Sequence, residues 1–180
     1  MKKSAAWPAL LAAALLVTAC AQLAPVSPEK PEYELSARLA ARYRDEAFSG
    51  NLAWRHAANS DEMLITSPLG AGVARIVRDG DSVVLTTAEP REYRAADAES
   101  LTEQALGFRL PLAGLADWVR GRPSAAMPVS KSESYPDGKL RSLEQGGWKI
   151  EYQEYAGELP SRLRLLYPGI ELRLAVSGWK

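Results

Sequence analysis

One cysteine and one histidine are all that this 180-residue chain holds of the two residue types most used in catalysis and metal binding. With only Cys20 and His56 available, the usual His/Cys metal set is excluded, and Ser-His-Asp or Cys-His catalysis would have to run through His56. His56 stands beside Asn59, Ser60 and Asp61 and reads as a solvated strand-end residue. A nucleotide loop is also missing. Gly70-Ala71-Gly72 lacks the third glycine of a dinucleotide fingerprint, and no Walker-type glycine run with Lys and Ser/Thr occurs, so no use of ATP is expected. Charge of one sign is absent as well, because 22 basic residues face 22 acidic ones, which leaves no basic field for nucleic acid. The apolar run Ala9 to Val17 spans nine residues, well short of the roughly 20 a bilayer helix needs.

That short run has a different meaning. Lys2 and Lys3 precede it and small residues follow it up to Cys20, which is the layout of a secretory signal. Val17-Thr18-Ala19-Cys20 resembles a bacterial lipobox, so residues 1–19 are expected to be a cleaved signal peptide. Cys20 then becomes the lipid-modified first residue, with an S-diacylglyceryl group and an N-acyl chain, and no other cofactor is expected. A free or disulfide-bonded Cys20 is the alternative, but the chain offers no second cysteine to pair with it. A multiply acylated terminus anchors stably, whereas one chain binds reversibly.

Residues 20–32 form a tether marked by Pro25, Pro28 and Pro31. In extended form its stretch from Ala21 to Pro31 reaches about 34 Å at about 3.1 Å per residue. Without Lys2 and Lys3 the mature chain carries 20 basic and 22 acidic residues. Residues 33–180 are a length suited to one domain.

Within that domain, short alternating segments dominate. Phe48, Leu52 and Trp54 share one parity, and Val83 and Leu85 share a face of a later segment. Trp148, Ile150 and Tyr152 alternate with Lys149, Glu151 and Gln153; Leu163 and Leu165 alternate with Arg162 and Arg164; Ile170, Leu172, Leu174 and Val176 complete the set. Turns are expected at Ser67-Pro68-Leu69-Gly70 and Asp79-Gly80-Asp81. Between the strand blocks, Ala96 to Leu106 and Leu112 to Arg120 carry helical apolar stripes closed by Gly107 and Gly121. Strands, two helices, then strands predict an α+β domain: one curved antiparallel sheet with helices over one face.

An apolar sheet face can pack as core or shelter a lipid. Leu52, Trp54, Trp148, Ile150, Leu163 and Leu172 are the candidate walls of an apolar cavity, and their alternative role is a dry core. At least one of Trp54 and Trp148 is expected to face such a cavity, although tryptophans are more often core than ligand surface. The acidic pairs Asp45-Glu46 and Asp61-Glu62 read as solvated loop residues.

Several strings in fixed order carry a resemblance. They are Phe48-Ser49-Gly50-Asn51-Leu52-Ala53-Trp54, Ser67-Pro68-Leu69-Gly70, Leu106-Gly107 with Leu110-Pro111, Trp118-Val119-Arg120-Gly121, Gln145 to Tyr152, Pro160 and Trp179. None is specific alone, but together with the lipobox they resemble the LolB family of outer-membrane lipoprotein receptors over nearly the whole mature domain. The resemblance implies an incomplete, half-open antiparallel β-barrel with helices covering the opening and an apolar cavity inside. It also implies a protruding membrane-insertion loop with an apolar tip, matched here by Pro68, Leu69 and Gly70.

The implied activity is acceptance of lipoproteins from a LolA-like periplasmic carrier, binding of their acyl chains, and insertion into the outer membrane without ATP. The implied partners are that carrier, cargo lipoproteins and outer-membrane phospholipid, with no nucleic acid and a monomeric chain. Ala21 rather than Asp follows Cys20, which in enteric-type sorting implies the outer membrane, facing the periplasm, rather than inner-membrane retention. No enzyme activity is implied. The residues alone leave open a lipid-anchored hydrolase, with a carboxylate pair as acid and base, or a passive envelope scaffold. Turnover of a model ester or glycan distinguishes the first of these.

Overall fold

The computed structural model describes residues 30–88, 92–95, 100–103 and 112–180. Its first half is a meander of six strands: β1 (Tyr33–Tyr43), β2 (Glu46–His56), β3 (Ser60–Thr66), β4 (Gly72–Asp79), β5 (Ser82–Thr87) and β6 (Glu92–Ala95). Helix α1 (Leu112–Trp118) follows, and then a meander of β7 (Val129–Ser134), β8 (Leu140–Gln145), β9 (Trp148–Ala156), β10 (Leu159–Tyr167) and β11 (Ile170–Trp179).

The two meanders join through β1, which pairs with β2 on one side and with β11 on the other. One antiparallel sheet results, in the order β6-β5-β4-β3-β2-β1-β11-β10-β9-β8-β7. Strands β6 and β7 are its two edges and do not pair with each other, so the sheet is open. Side chains along β7 are exposed throughout.

Local sequence explains the tight connections. Gln145 and Trp148 are paired across a two-residue turn, and Gly146 and Gly147 both have positive φ, 57° and 80°. A hairpin of this length takes a turn with φ > 0 at both central residues, which glycine adopts without steric cost. The turns expected at Ser67 to Gly70 and Asp79 to Asp81 fall between β3 and β4 and between β4 and β5.

The predicted second helix forms as Leu112–Trp118 and ends at Gly121, whose φ is +75°. Bonds from Val119 N to Leu115 O and from Gly121 N to Trp118 O finish the last turn. Of the predicted first helix, residues 100–103 are helical with Leu101 and Thr102 buried; the rest lies outside the described residues, as do Cys20, most of the tether, and the strings around Gly107 and Pro111. The described portion is chiefly sheet.

Alternation sorts the sheet into two faces. Leu35, Ala37, Leu52, Trp54, Leu163, Leu165, Leu172 and Leu174 are buried on one face and join α1 in a single apolar cluster. Tyr33 Oη donates to Ala116 O at 3.2 Å, and the Trp118 ring lies 6.4 Å from that of Trp148, so α1 packs on this face.

The other face carries charge. Arg164 Nε and Arg173 Nε each donate to Glu171 Oε1 at 2.6 Å, and Arg162 Nη1 donates to Glu154 Oε1 at 2.8 Å. The bonds from Arg164 and then Arg173 hold the Glu171 carboxyl well below its ordinary range, at about 2. A depressed carboxylate contributes stability above its unfolded pKa and loses it as pH falls through the folded value. Wild type is therefore expected to lose stability between the ordinary glutamate range and about pH 2, and Glu171→Gln to flatten that slope. Urea midpoints across this interval check it; parallel slopes for the two proteins would contradict it.

Candidate functional site

All six candidate cavity residues lie on the apolar face. Leu52 and Trp54 come from β2, Trp148 and Ile150 from β9, Leu163 from β10 and Leu172 from β11, and every one is buried in the common cluster. Register explains how residues so distant in sequence share it. Ile150 sits opposite Leu165, Leu165 opposite Leu172, Leu52 opposite Ala37, and Trp54 opposite Leu35, each pair facing the same way across antiparallel neighbours.

The cluster has members beyond the six expected to line a cavity. Leu35, Leu101, Leu143, Tyr152 and Trp118 are as deeply buried as those six. The inward parity of Tyr152 was visible, but the meeting of Trp118 with Trp148 required the helix to be docked.

The two central tryptophans are held differently. Trp54 Nε1 donates to Asp61 Oδ1 at 2.8 Å, and Tyr33 meets its ring edge-on at 5.7 Å. Trp148 lies between Trp118 and Tyr167, whose ring is 5.1 Å away. Trp118 Nε1 donates to Gln145 Oε1 at 2.9 Å. That oxygen also accepts from Ser124 N, while Gln145 Nε2 donates to Ser124 O and Met127 O. A buried amide is thus fully satisfied and ties the segment after α1 to the end of β8.

One polar atom on this face differs. Tyr152 is 1% exposed, and among the described residues its Oη is the buried side-chain polar atom without a hydrogen-bond partner. Burial pushes its phenol upward from the usual tyrosine range. An unpaired buried hydroxyl costs about 1–3 kcal/mol. Tyr152→Phe is accordingly expected to leave stability unchanged or raise it by up to about 1 kcal/mol; a loss above that in urea unfolding would show that the hydroxyl is bonded.

His56 and Asp61 correct the expectation of solvated positions. Asp61 lies within β3 with its side chain 3% exposed. His56 Nδ1 is 2.6 Å from Asp61 Oδ1, Arg78 Nε is 2.6 Å from Asp61 Oδ2, and the His56 ring is 4.8 Å from that of Tyr33. The inward parity of β3 buries Asp61, and Trp54, His56 and Arg78 converge to compensate its charge. The pair Asp45-Glu46, by contrast, is exposed at the β1–β2 turn. Among the described residues no group of three or more His, Cys, Asp or Glu is placed to hold a metal ion.

The loop between β3 and β4 stands apart from the buried face. Gly70 N donates to Ser67 O at 2.9 Å, Ser67 N to Ala71 O at 2.7 Å, and Ala71 N to Ser67 Oγ at 3.2 Å, with Gly70 at φ +89°. Asn51 Nδ2 on β2 donates to Ser67 O at 3.3 Å. These bonds brace the base of the loop and leave Leu69, 99% exposed, at its tip. A core role for Leu69 is therefore excluded.

The fold is shared by solved proteins, among them one described as a LolA superfamily protein. That protein, from Nitrosomonas europaea, matches with a TM-score of 0.50 over 85% of this chain and 86% of that chain, at 11% sequence identity, a likeness of fold. The chain belongs to the LolB family: the model described as outer membrane lipoprotein LolB matches residues 31–179. It is 41% identical to the outer-membrane lipoprotein LolB of Nitrosomonas europaea, covering 82% of this chain and 72% of that relative. It is 36% identical to the LolB of Chromobacterium violaceum, covering 95% and 97%. The LolB of Thiobacillus denitrificans is 37% identical, with 89% and 90% covered. The resemblance carried by the ordered strings is borne out, and the chain belongs among the outer-membrane lipoproteins of Gram-negative bacteria that serve protein transport. Among the described residues no helix is long and apolar enough to cross a membrane.

Proposed function

We propose that this protein receives lipoproteins from a LolA-like periplasmic carrier, shelters their acyl chains against the apolar face of its sheet, and inserts them into the outer membrane without nucleotide. The observation that carries the proposal is Leu69, an apolar residue 99% exposed on a braced loop. An apolar side chain held in water at a hairpin tip gains by entering lipid.

The energetics require a sheltered route. At about 0.8 kcal/mol per methylene, one acyl chain of about fourteen methylenes costs about 11 kcal/mol to expose to water. The face containing Leu52, Trp54, Trp148, Ile150, Leu163 and Leu172 supplies non-directional apolar contact. For a chain to enter, α1 with Leu115 and Trp118 must move away from it. Differential affinity, rising from carrier to receptor to bilayer, then suffices to drive transfer.

Incubation of the protein with a lipoprotein-loaded carrier, followed by liposomes, tests the reading. Cargo should pass to this chain and then to the vesicles in the absence of ATP; cargo that stays on the carrier would refute it. The anchor is tested separately. Cys20→Ala is expected to abolish lipidation and cleavage before residue 20, leaving the precursor at the inner membrane by its apolar run. Normal outer-membrane recovery of that variant on fractionation would exclude the lipobox.

A further inference from the structure

The face of the sheet opposite the apolar cluster holds a groove of about 650 Å³ lined by Arg38, Arg162, Arg164 and Arg173, with no carboxylate in its lining. These arginines alternate along β1, β10 and β11 with the buried Ala37, Leu163, Leu165, Leu172 and Leu174, so the sheet itself directs them outward. Register brings them together: Arg164 is opposite Arg173, Arg162 is opposite Ala175, and Ala175 is opposite Arg38.

Glu151, Glu154 and Glu171 border this groove and engage part of its charge. Glu171 is shared by two guanidinium groups, and among the described residues no ion pair or side-chain hydrogen bond engages the Arg38 guanidinium. Cationic charge is left over.

The groove adjoins the loop that carries Leu69. Pro68 and Asn51 both line it, and Asn51 donates the hydrogen bond that braces Ser67. An apolar tip beside a surface with residual cationic charge, centred on Arg38, is the pattern of an interfacial membrane anchor, in which apolar burial and attraction to anionic lipid act together.

We propose that this groove is a docking site for the phosphate headgroups of anionic phospholipids, which seats the domain on the membrane with Leu69 directed into the leaflet. Planar guanidinium groups suit phosphate oxygens, and the lipid anchor at Cys20 would hold the domain within reach of the surface. The proposal rests on the reading that Leu69 enters lipid, and it adds that lipid charge, not the tether alone, sets when it does so.

The mature lipoprotein, reconstituted in vesicles through its own anchor, provides the test. Cys20 is the only native cysteine, so Leu69→Cys supplies a single free thiol for an environment-sensitive dye. In phosphatidylethanolamine vesicles containing phosphatidylglycerol, the dye should report more lipid contact than in phosphatidylethanolamine alone, and high salt should remove the difference. Arg38→Gln, at an exposed and unpartnered position, should lower the ratio of docked to undocked protein about five-fold, with unchanged circular dichroism, and Arg38→Lys should retain it. Equal dye response in the two vesicle types, or indifference to Arg38→Gln, would overturn the groove assignment while leaving lipid entry by residue 69 intact. A dye that meets lipid in neither vesicle would overturn both readings. If Arg38→Gln spared the lipid response but reduced uptake from the carrier, the groove would belong to an acidic protein surface and this assignment would be wrong.

Discussion

Leu69→Glu is expected to accept lipoprotein from the carrier at the wild-type rate and to deliver it to liposomes about thirty-fold more slowly or worse. The side chain is 99% exposed, and the hydrogen bonds that close its loop come from Ser67, Gly70, Ala71 and Asn51. Folding and the apolar face should therefore be untouched, because surface substitutions away from such features change stability by at most about 0.5 kcal/mol. The membrane step is different. Leucine gains free energy on leaving water and a carboxylate loses it, a swing on the order of 2–3 kcal/mol, and about 1.4 kcal/mol is tenfold. Wild-type delivery by Leu69→Glu would remove this leucine from the insertion step, and loss of acceptance would move its role to the carrier contact. Leu69→Phe should deliver normally.

Asp61→Ala is expected to cost about 3–5 kcal/mol of folding stability, the range for breaking a buried ion pair at one partner. Three donors lose their acceptor at once: Trp54 Nε1, His56 Nδ1 and Arg78 Nε. Because domains hold only about 5–15 kcal/mol in total, the variant should unfold at markedly lower urea. Asp61→Asn preserves an oxygen for Trp54 and should lose less. A double-mutant cycle with Arg78→Ala should show coupling above about 1 kcal/mol. Additive losses, or an Asp61→Ala cost below about 1 kcal/mol, would show that β3 tolerates the buried position without these bonds.

The two predictions concern residues of unequal legibility. Leu69 was readable because Pro-Leu-Gly is a turn, and an apolar residue at the centre of a turn between two strands is hard to bury. Asp61 was misread because its acidic neighbour Glu62 and the nearby Asn59 and Ser60 resemble a solvated loop. The turn ends before the acidic pair: Ser60 already begins β3, and alternation then puts Asp61 inside and Glu62 outside, where Glu62 pairs with Arg75 at 2.7 Å. The outward arginines were likewise visible in the strand pattern, but Arg38 on β1 and Arg164 on β10 become neighbours only through the pairing of β1 with β11.

By itself the sequence determined the succession of a strand block, the helix Leu112–Trp118 and a second strand block, the inward parity of Leu52, Trp54, Trp148, Ile150, Leu163 and Leu172, the turn that presents Leu69, and family membership. Each of these depends on residues near one another in the chain, or on their order along it, and backbone periodicity writes such information directly into the spacing of apolar side chains. Tertiary structure alone decided that β6 and β7 are the open edges of the sheet, that α1 sets Trp118 against Trp148 and Gln145, and that Asp61 gathers Trp54, His56 and Arg78 around a buried charge. Those outcomes depend on which strands pair and how far the helix descends onto them. Both are settled by the combined burial of many distant residues, which no local spacing records.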